Sequence, residues 1–183
     1  MHVDLRGVDL TTEVVRTERL VLRPYRPEDE DAVFRACQDP AIQRWNIPIA
    51  SPYPRAVARE WVCELAPRLR AEGRGMPVVV EAGGELVGSS GLEFDGGLLG
   101  PAIGYWMAPW GRGRRYAAEA VDALARWVLA RGAPRVHLMV DVRNTASGKV
   151  AQRARFTREG VVHRCLPYRD GSYGDAVLFG RVE

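Results

Sequence analysis

The chain has 183 residues, 46% of them hydrophobic and 27% charged, with a formal net charge of +3. That is the balance of a soluble globular protein with a substantial core, most simply one domain. The mild basicity suits an anionic small ligand as well as nucleic acid and selects neither. No apolar run approaches the ~20 residues of a membrane span, and residues 1–6 lack the apolar stretch of a secretory signal; the expectation is a cytoplasmic protein that does not engage a membrane. Cys37, Cys63 and Cys165 are far apart without metal-type spacing and read as reduced, mostly buried thiols. Lys149 is the sole lysine, so nearly all the basic charge is arginine, which reads as a coding bias.

Residues 1–15 have weak periodicity and read as a loose arm or a first short strand. Residues 17–26 alternate, with Leu20 and Leu22 on one face and Arg19, Val21 and Arg23 on the other, as in a strand. Pro27, followed by Glu28, Asp29 and Glu30, opens a helix with proline early and acids in the first turn. Ala32, Val33, Ala36 and Cys37 are its apolar stripe, and it closes before Pro40. A short helix around residues 42–45 leads into a loop punctuated by Pro48, Pro52 and Pro54. Trp45 and Tyr53 there either line a pocket or pack the surface. Residues 55–69 read as a helix with Val57, Trp61, Leu65 and Leu69 inward and Pro67 weakening its end. Strands follow at 76–82 and 85–94 around Gly83-Gly84, and at 98–107 after Asp95-Gly96-Gly97. Residues 116–131 are helical, with Ala120, Leu124, Trp127 and Val128 inward, and Gly132 with Pro134 stops them. Residues 135–142 form a strand, Asn144 can cap a helix to about Arg153, and 156–166 and 173–182 are last strands around Arg169-Asp170-Gly171. This order of elements predicts an α/β fold of the mixed α+β kind: hairpins first, a strand-helix-strand unit in the middle, and helices on the faces of a mixed sheet.

The stretch from Gly104 to Ala120 is the most informative. Its apolar run ends in Gly111-Arg112-Gly113-Arg114-Arg115, after which helix-compatible sequence continues unbroken. Such a turn can aim unpaired backbone N–H groups at an anion, with the helix dipole behind them. The arginines add fork-shaped donors suited to phosphate. The residues alone leave two readings: a phosphate-bearing ligand at a strand-to-helix junction, or a solvated helix start. A Walker loop is excluded by the missing Gly-Lys-Ser/Thr, and a dinucleotide fingerprint by Tyr116 where a third glycine would stand.

Several segments in a fixed order carry a resemblance. They are Ile103-Gly104-Tyr105-Trp106, Arg112-Gly113 with Tyr116-Ala117-Ala118-Glu119-Ala120, Asn144-Thr145-Ala146-Ser147, Phe156 with Glu159-Gly160, and Asp170-Gly171-Ser172-Tyr173-Gly174-Asp175. From residue 17 to the last strand the chain resembles the GNAT superfamily of acyl-CoA-dependent N-acyltransferases, and within it the RimJ/RimL-like branch of ribosomal-protein N-terminal acetyltransferases. The resemblance implies a GNAT domain over residues 16–183 behind an arm of residues 1–15. It implies a twisted, mostly antiparallel sheet with a splayed parallel strand pair and helices on both faces. Acetyl-CoA is the implied co-substrate, with no metal. The backbone of Trp106, Met107 and Ala108 would pair with the pantetheine arm. Arg112, Gly113, Arg114, Arg115, Tyr116 and Ala117 would cradle the pyrophosphate. Asn144 and Ser147 would face the thioester, with Ser147 supplying a proton to the departing thiolate. Read from the residues alone, Asn144 is also a plain helix cap and Ser147 a first-turn serine. The implied reaction is direct attack on the thioester, in a ternary complex, by a primary amine: a protein N-terminus or a small molecule such as an antibiotic, amino acid or polyamine. Nucleic acid is not an implied partner, and a homodimer is a compatible assembly. The alternative is a catalytically weak GNAT-fold module that binds acyl-CoA or regulates a partner.

Three departures from the family pattern bear on the chemistry. Ala102 stands where many members carry a glutamate base, which leaves Glu93 and Asp95, near the end of the preceding strand, as candidate bases or surface carboxylates. His163 is either a local base or a solvated strand histidine. Arg115 and Arg155 occupy usual glycine positions, where a positive φ would make an arginine costly.

Overall fold

The strands are Val15–Arg16 (β1), Val21–Arg23 (β2), Gly75–Ala82 (β3), Glu85–Glu93 (β4), Ala102–Met107 (β5), Val136–Asp141 (β6), Thr157–Pro167 (β7) and Tyr173–Arg181 (β8). The structure, a computed structural model, describes residues 3–46, 48–95 and 97–182. All eight strands lie in one sheet in the order β1-β2-β3-β4-β5-β6-β8-β7. Every neighbouring pair is antiparallel except β5 and β6, which are parallel and joined at a single register pair, Ala102 with His137. The His137 N–H donates to Pro101 C=O at 2.9 Å, and beyond that bond the two strands diverge.

Strand alternation sorts the side chains into two cores. Met76, Val78 and Val80 of β3 point to one face with Leu20 and Leu22, and Val79 points to the other. The first face is covered by Tyr116–Leu129 (α5) and Thr145–Arg153 (α6), with Val121, Leu124 and Val128 fully buried under α5. The second is covered by Glu30–Cys37 (α1), Pro40–Trp45 (α2), Arg55–Glu60 (α3) and Ala66–Ala71 (α4), which bury Val33, Ile42, Ala58 and Val62.

Local differences from the sequence reading have physical causes. The strand expected at 98–107 begins only at Ala102: Gly97–Leu99 is a 3-10 turn, Gly100 has φ +73°, and Leu98 is 95% exposed. Gly96 of the expected Asp95-Gly96-Gly97 turn lies outside the described residues. The strand expected at 17–26 is a tight hairpin, because the Thr17 hydroxyl accepts the Leu20 N–H at 2.9 Å and the Thr17 N–H bonds Leu20 C=O at 3.0 Å. The helix expected at 55–69 extends to Ala71 through a π-helical stretch, Trp61–Leu65. Pro67 lies just beyond this stretch; it has no N–H to give and its ring crowds the preceding turn, which the widened stretch accommodates. Of the three thiols only Cys37 is buried, which pushes it up to about 12; Cys63 is exposed and Cys165 half-buried.

The arm at the N-terminus is part of the core. Val3 and Leu10 are buried in it. Arg70, 2% exposed, donates from Nε to Leu10 C=O at 2.5 Å, from Nη2 to Glu13 C=O at 2.6 Å and from Nη1 to Pro77 C=O at 2.9 Å. Burial without a carboxylate against it pushes this guanidinium down to about 10. Glu13 also accepts from Trp127 Nε1 at 2.7 Å and pairs with Arg131 at 3.2 Å, which fastens the arm to the end of α5. Among the described residues no helix is long and apolar enough to cross a membrane.

Candidate active site

The divergence of β5 and β6 opens a cleft of about 700 Å³, lined by both strands, by the turn before α5, by α6 and by α2 with the loop behind it. On the β5 wall the Ala108 N–H donates back to Val87 C=O of β4 at 3.0 Å. Alternation then turns the Met107 backbone toward the cleft, where its carbonyl accepts from Arg112 Nε at 3.2 Å. Of the three residues expected to offer backbone groups, Met107 faces the opening, whereas Trp106 and Ala108 face β4.

The turn before α5 has an unusual donor inventory. The first bond to a carbonyl of the turn runs from the Glu119 N–H to Arg115 C=O, at 3.3 Å. Among the described residues nothing accepts the N–H groups of Gly113, Arg114, Arg115, Tyr116, Ala117 or Ala118, although Ala117 and Ala118 are buried. This cluster lies at the positive end of a 14-residue helix, an arrangement whose electrostatics favour negative charge. Gly111 makes the turn possible: a Cβ there would lie 2.3 Å from Val87 O. Arg115 has φ +63° and Arg155 φ +64°, so both arginines occupy the left-handed region that the usual glycines would suit. Each strains the backbone by about 1 kcal/mol.

Arg19 is the residue of this turn that the sequence reading missed. Its Nε donates to Glu119 Oε2 at 2.7 Å and its Nη1 to Arg114 C=O at 3.1 Å, while its guanidinium stacks over Tyr116 at 5.0 Å. Thr17 Oγ1 adds a bond to Glu119 Oε1 at 2.6 Å. Burial acts to raise the Glu119 pKa, but the bonds from Thr17 and Arg19 outweigh it and hold the carboxyl below its usual range. The β1–β2 hairpin therefore grips the turn and compensates the charge of Glu119 in the first turn of α5. Arg112 is directed elsewhere: its guanidinium pairs with Asp39, the cap of α2, at 2.7 Å, and lowers the Asp39 pKa.

Midway along the cleft the Tyr105 hydroxyl and Ser147 Oγ are hydrogen-bonded at 2.7 Å. Burial pushes Tyr105 up to about 12, so its hydroxyl keeps its proton at pH 7. Asn144 acts as the cap of α6, its Oδ1 accepting the Ser147 N–H at 3.0 Å, and this fixes where Ser147 points. Strand parity held the signal for Tyr105: it shares a face with Ile103 and Met107, opposite the α6 serine.

Glu93 is not brought to Ser147. It is exposed at the end of β4 and pairs with Ala102, three residues and about 10 Å along β5 from Tyr105, at the closed end of the splay. Asp95 is exposed two residues further on. His163 lies in a bulge of β7, bonded to Asp175 at 2.9 Å, outside the cleft lining. The carboxylate that does line the cleft, Asp141, accepts from the Arg143 side chain at 3.0 and 2.9 Å and from the Tyr168 hydroxyl at 2.6 Å. The Arg143 bonds, foremost, hold it down to about 2.

A strand pair splayed ahead of a helix whose N-terminus is stripped of acceptors defines a class of acyl-transfer fold. Residues 19–157 match the acetyltransferase (GNAT) domain family, and the chain belongs to that family of acyltransferase enzymes. An uncharacterised N-acetyltransferase p20 from Bacillus licheniformis is 28% identical over 157 residues, 82% of this chain and 85% of that protein. Among solved structures, RimJ of Mycobacterium smegmatis in complex with CoA-disulfide is similar with a TM-score of 0.78 and 26% identity, covering 93% of this chain and 87% of that one. RimL, a ribosomal L7/L12 alpha-N-protein acetyltransferase in complex with coenzyme A, is similar with a TM-score of 0.80 and 22% identity, covering 93% and 98%.

Proposed function

We propose that the protein transfers an acetyl group from acetyl-CoA to a primary amine, in a ternary complex, by direct attack. The observation that carries this reading is the row of acceptor-free N–H groups from Gly113 to Ala118, opening onto a cleft with the Tyr105–Ser147 pair at its middle. Acetyl-CoA supplies an activated acyl carbon. The residues present fit such a molecule: the turn with Arg115 takes the pyrophosphate, Met107 offers its backbone to the pantetheine arm, and Asn144 orients Ser147. In this reading the Ser147 hydroxyl donates to the departing sulfur as the C–S bond breaks, the Tyr105 hydroxyl returns a proton to Ser147, and the proton shed by the attacking nitrogen as the C–N bond forms passes through solvent to Tyr105.

No histidine or glutamate lines the cleft among the described residues, and Asp141 is too weakly basic to deprotonate an ammonium. The amine therefore has to arrive as free base. An α-amine, with a pKa of about 8, does so far more readily than a lysine side chain at about 10.4. This favours a peptide N-terminus or an amino acid, and most of the rate then comes from positioning.

Calorimetry with CoA tests the cofactor claim. Binding is expected, and it should weaken as salt rises. Arg115→Gly and Arg155→Gly sharpen the test, because they relieve the same backbone strain. Each should raise stability by roughly 0.5–1 kcal/mol, a few degrees in Tm at most. Only Arg115→Gly, at the cleft, should also weaken CoA binding, by about tenfold. Absence of binding at millimolar CoA would falsify the reading. Binding without thiol release across an α-amine panel would favour the regulatory module instead.

A further inference from the structure

The two ends of α2 are tied down on opposite sides of the splay. At its start Asp39 pairs with Arg112 at 2.7 Å. Toward and beyond its end Arg169, from the β7–β8 turn, donates to Gln43 C=O in its last turn at 2.6 Å and to Ile49 C=O in the loop behind it. Helix α2 thus roofs the opening on the sheet face opposite α5 and α6, and it presents Arg44 and Trp45 to the cleft. Phosphates held at the α5 turn leave this roofed face for the acceptor.

The charges of the lining are unevenly matched. Arg112 is paired with Asp39, and Arg115, Lys149 and Arg153 lie on the α5 turn and α6, where an anionic cofactor is matched. Asp141 is the acidic member of the lining, and Arg143 and Tyr168 occupy its oxygens. It offers nothing to a second cation. Arg44 remains. Its guanidinium lies over the Trp45 ring at 4.6 Å, and it has no carboxylate partner among the described residues. Arg143, over Tyr168 at 4.6 Å and 5.9 Å from the Trp45 ring, adds a second guanidinium to the same aromatic patch. A guanidinium spread on an indole keeps its outward N–H fork free, in a fixed plane, for a carboxylate or phosphate. The same patch repels a polycation.

We infer that Arg44 on Trp45 is a subsite for an anionic group carried by the acceptor itself, so that the substrate is an amine bearing a carboxylate or phosphate. The inference rests on the acetyl-transfer reading and excludes polyamines, lysine-rich tails and polycationic antibiotics as preferred acceptors. Two sources share this chemistry: a peptide with acidic residues behind its N-terminal amine, and a small amino acid or aminoalkyl phosphate.

The test uses matched acceptors that differ only in charge, with thiol release from acetyl-CoA as the readout. One arm compares short peptides of common N-terminal residue followed by Glu, Gln or Lys. The other compares phosphoethanolamine with ethanolamine, and glutamate with glutamine. In at least one arm the anionic member should have a kcat/KM about tenfold above its neutral counterpart, and that arm identifies the source. Arg44→Gln should bring the ratio within about threefold, and Arg44→Glu should invert it toward the cationic member. A neutral or cationic preference in the unmodified protein, or an anionic preference that survives Arg44→Glu, overturns the subsite while leaving acetyl transfer standing. Absence of thiol release with every acceptor, alongside failure to bind CoA, overturns both.

Discussion

Replacing Arg70 with Met is expected to cost about 3 kcal/mol of stability, which lowers Tm by roughly 6–12 °C for a domain of this size. The reason is geometric. Methionine replaces most of the volume but none of the donors, and the carbonyls of Leu10, Glu13 and Pro77 all bond this one guanidinium. The arm then keeps the Glu13 contacts to Trp127 and Arg131, the Asp4 N–H bond to Arg131 C=O and the packing of Val3 and Leu10. Thermal and urea unfolding of Arg70→Met against the parent protein measure the loss. A Tm within 2 °C of the parent would show that the arm contributes little and that its burial follows the fold rather than supports it.

Ser147→Ala should lower kcat by about 10–100-fold with little change in the KM for acetyl-CoA, because a proton given to the leaving sulfur matters in the transition state. The variant is clean: the Asn144 cap bonds the backbone N–H of residue 147, which alanine keeps. Tyr105→Phe should lose less, and the double variant should be no slower than Ser147→Ala alone, since the two hydroxyls act as one chain. Steady-state rates with an accepted amine decide the matter, and full additivity of the two losses would break the proposed relay. The pH profile is a companion readout. With no histidine or glutamate lining the cleft among the described residues, kcat/KM should climb with pH up to the pKa of the attacking amine.

Much of this was legible in the residues. The Gly83-Gly84 turn located β3 and β4, the stripe Ala120, Leu124, Trp127 and Val128 located the buried face of α5, and Asn144 marked a cap the structure forms. The suspicion that Arg115 and Arg155 stand where φ is positive was correct, because a turn entering or leaving a helix constrains its backbone whatever residue it carries. Other features were hidden because they depend on partners far away in sequence. Arg70 looks like a surface arginine of an amphipathic helix until the arm folds over it. Arg19 is about 100 residues from Glu119, and nothing local shows that it holds the turn before α5. Between base and surface carboxylate, the two readings of Glu93, residues alone did not decide, for the complementary reason. Its place in the chain put it near the end of a strand beside β5, but antiparallel pairing sets that end at Ala102, away from the open part of the splay.

The lone bond pair between β5 and β6 has a mechanical consequence. It divides the sheet into a five-stranded panel and a three-stranded panel that meet along a seam with one stitch. Elsewhere adjoining strands share backbone bonds along most of their length, whereas along this seam α5 and α6 do the clamping, through their contacts with β5, β6 and each other. A molecule that threads the seam and bonds to both edges would act as a further strand. Occupancy would then stiffen the junction of the panels as well as fill a hole, and the unfolding temperature would itself report how full the seam is, by about 2.7 kcal/mol at a hundredfold excess over Kd.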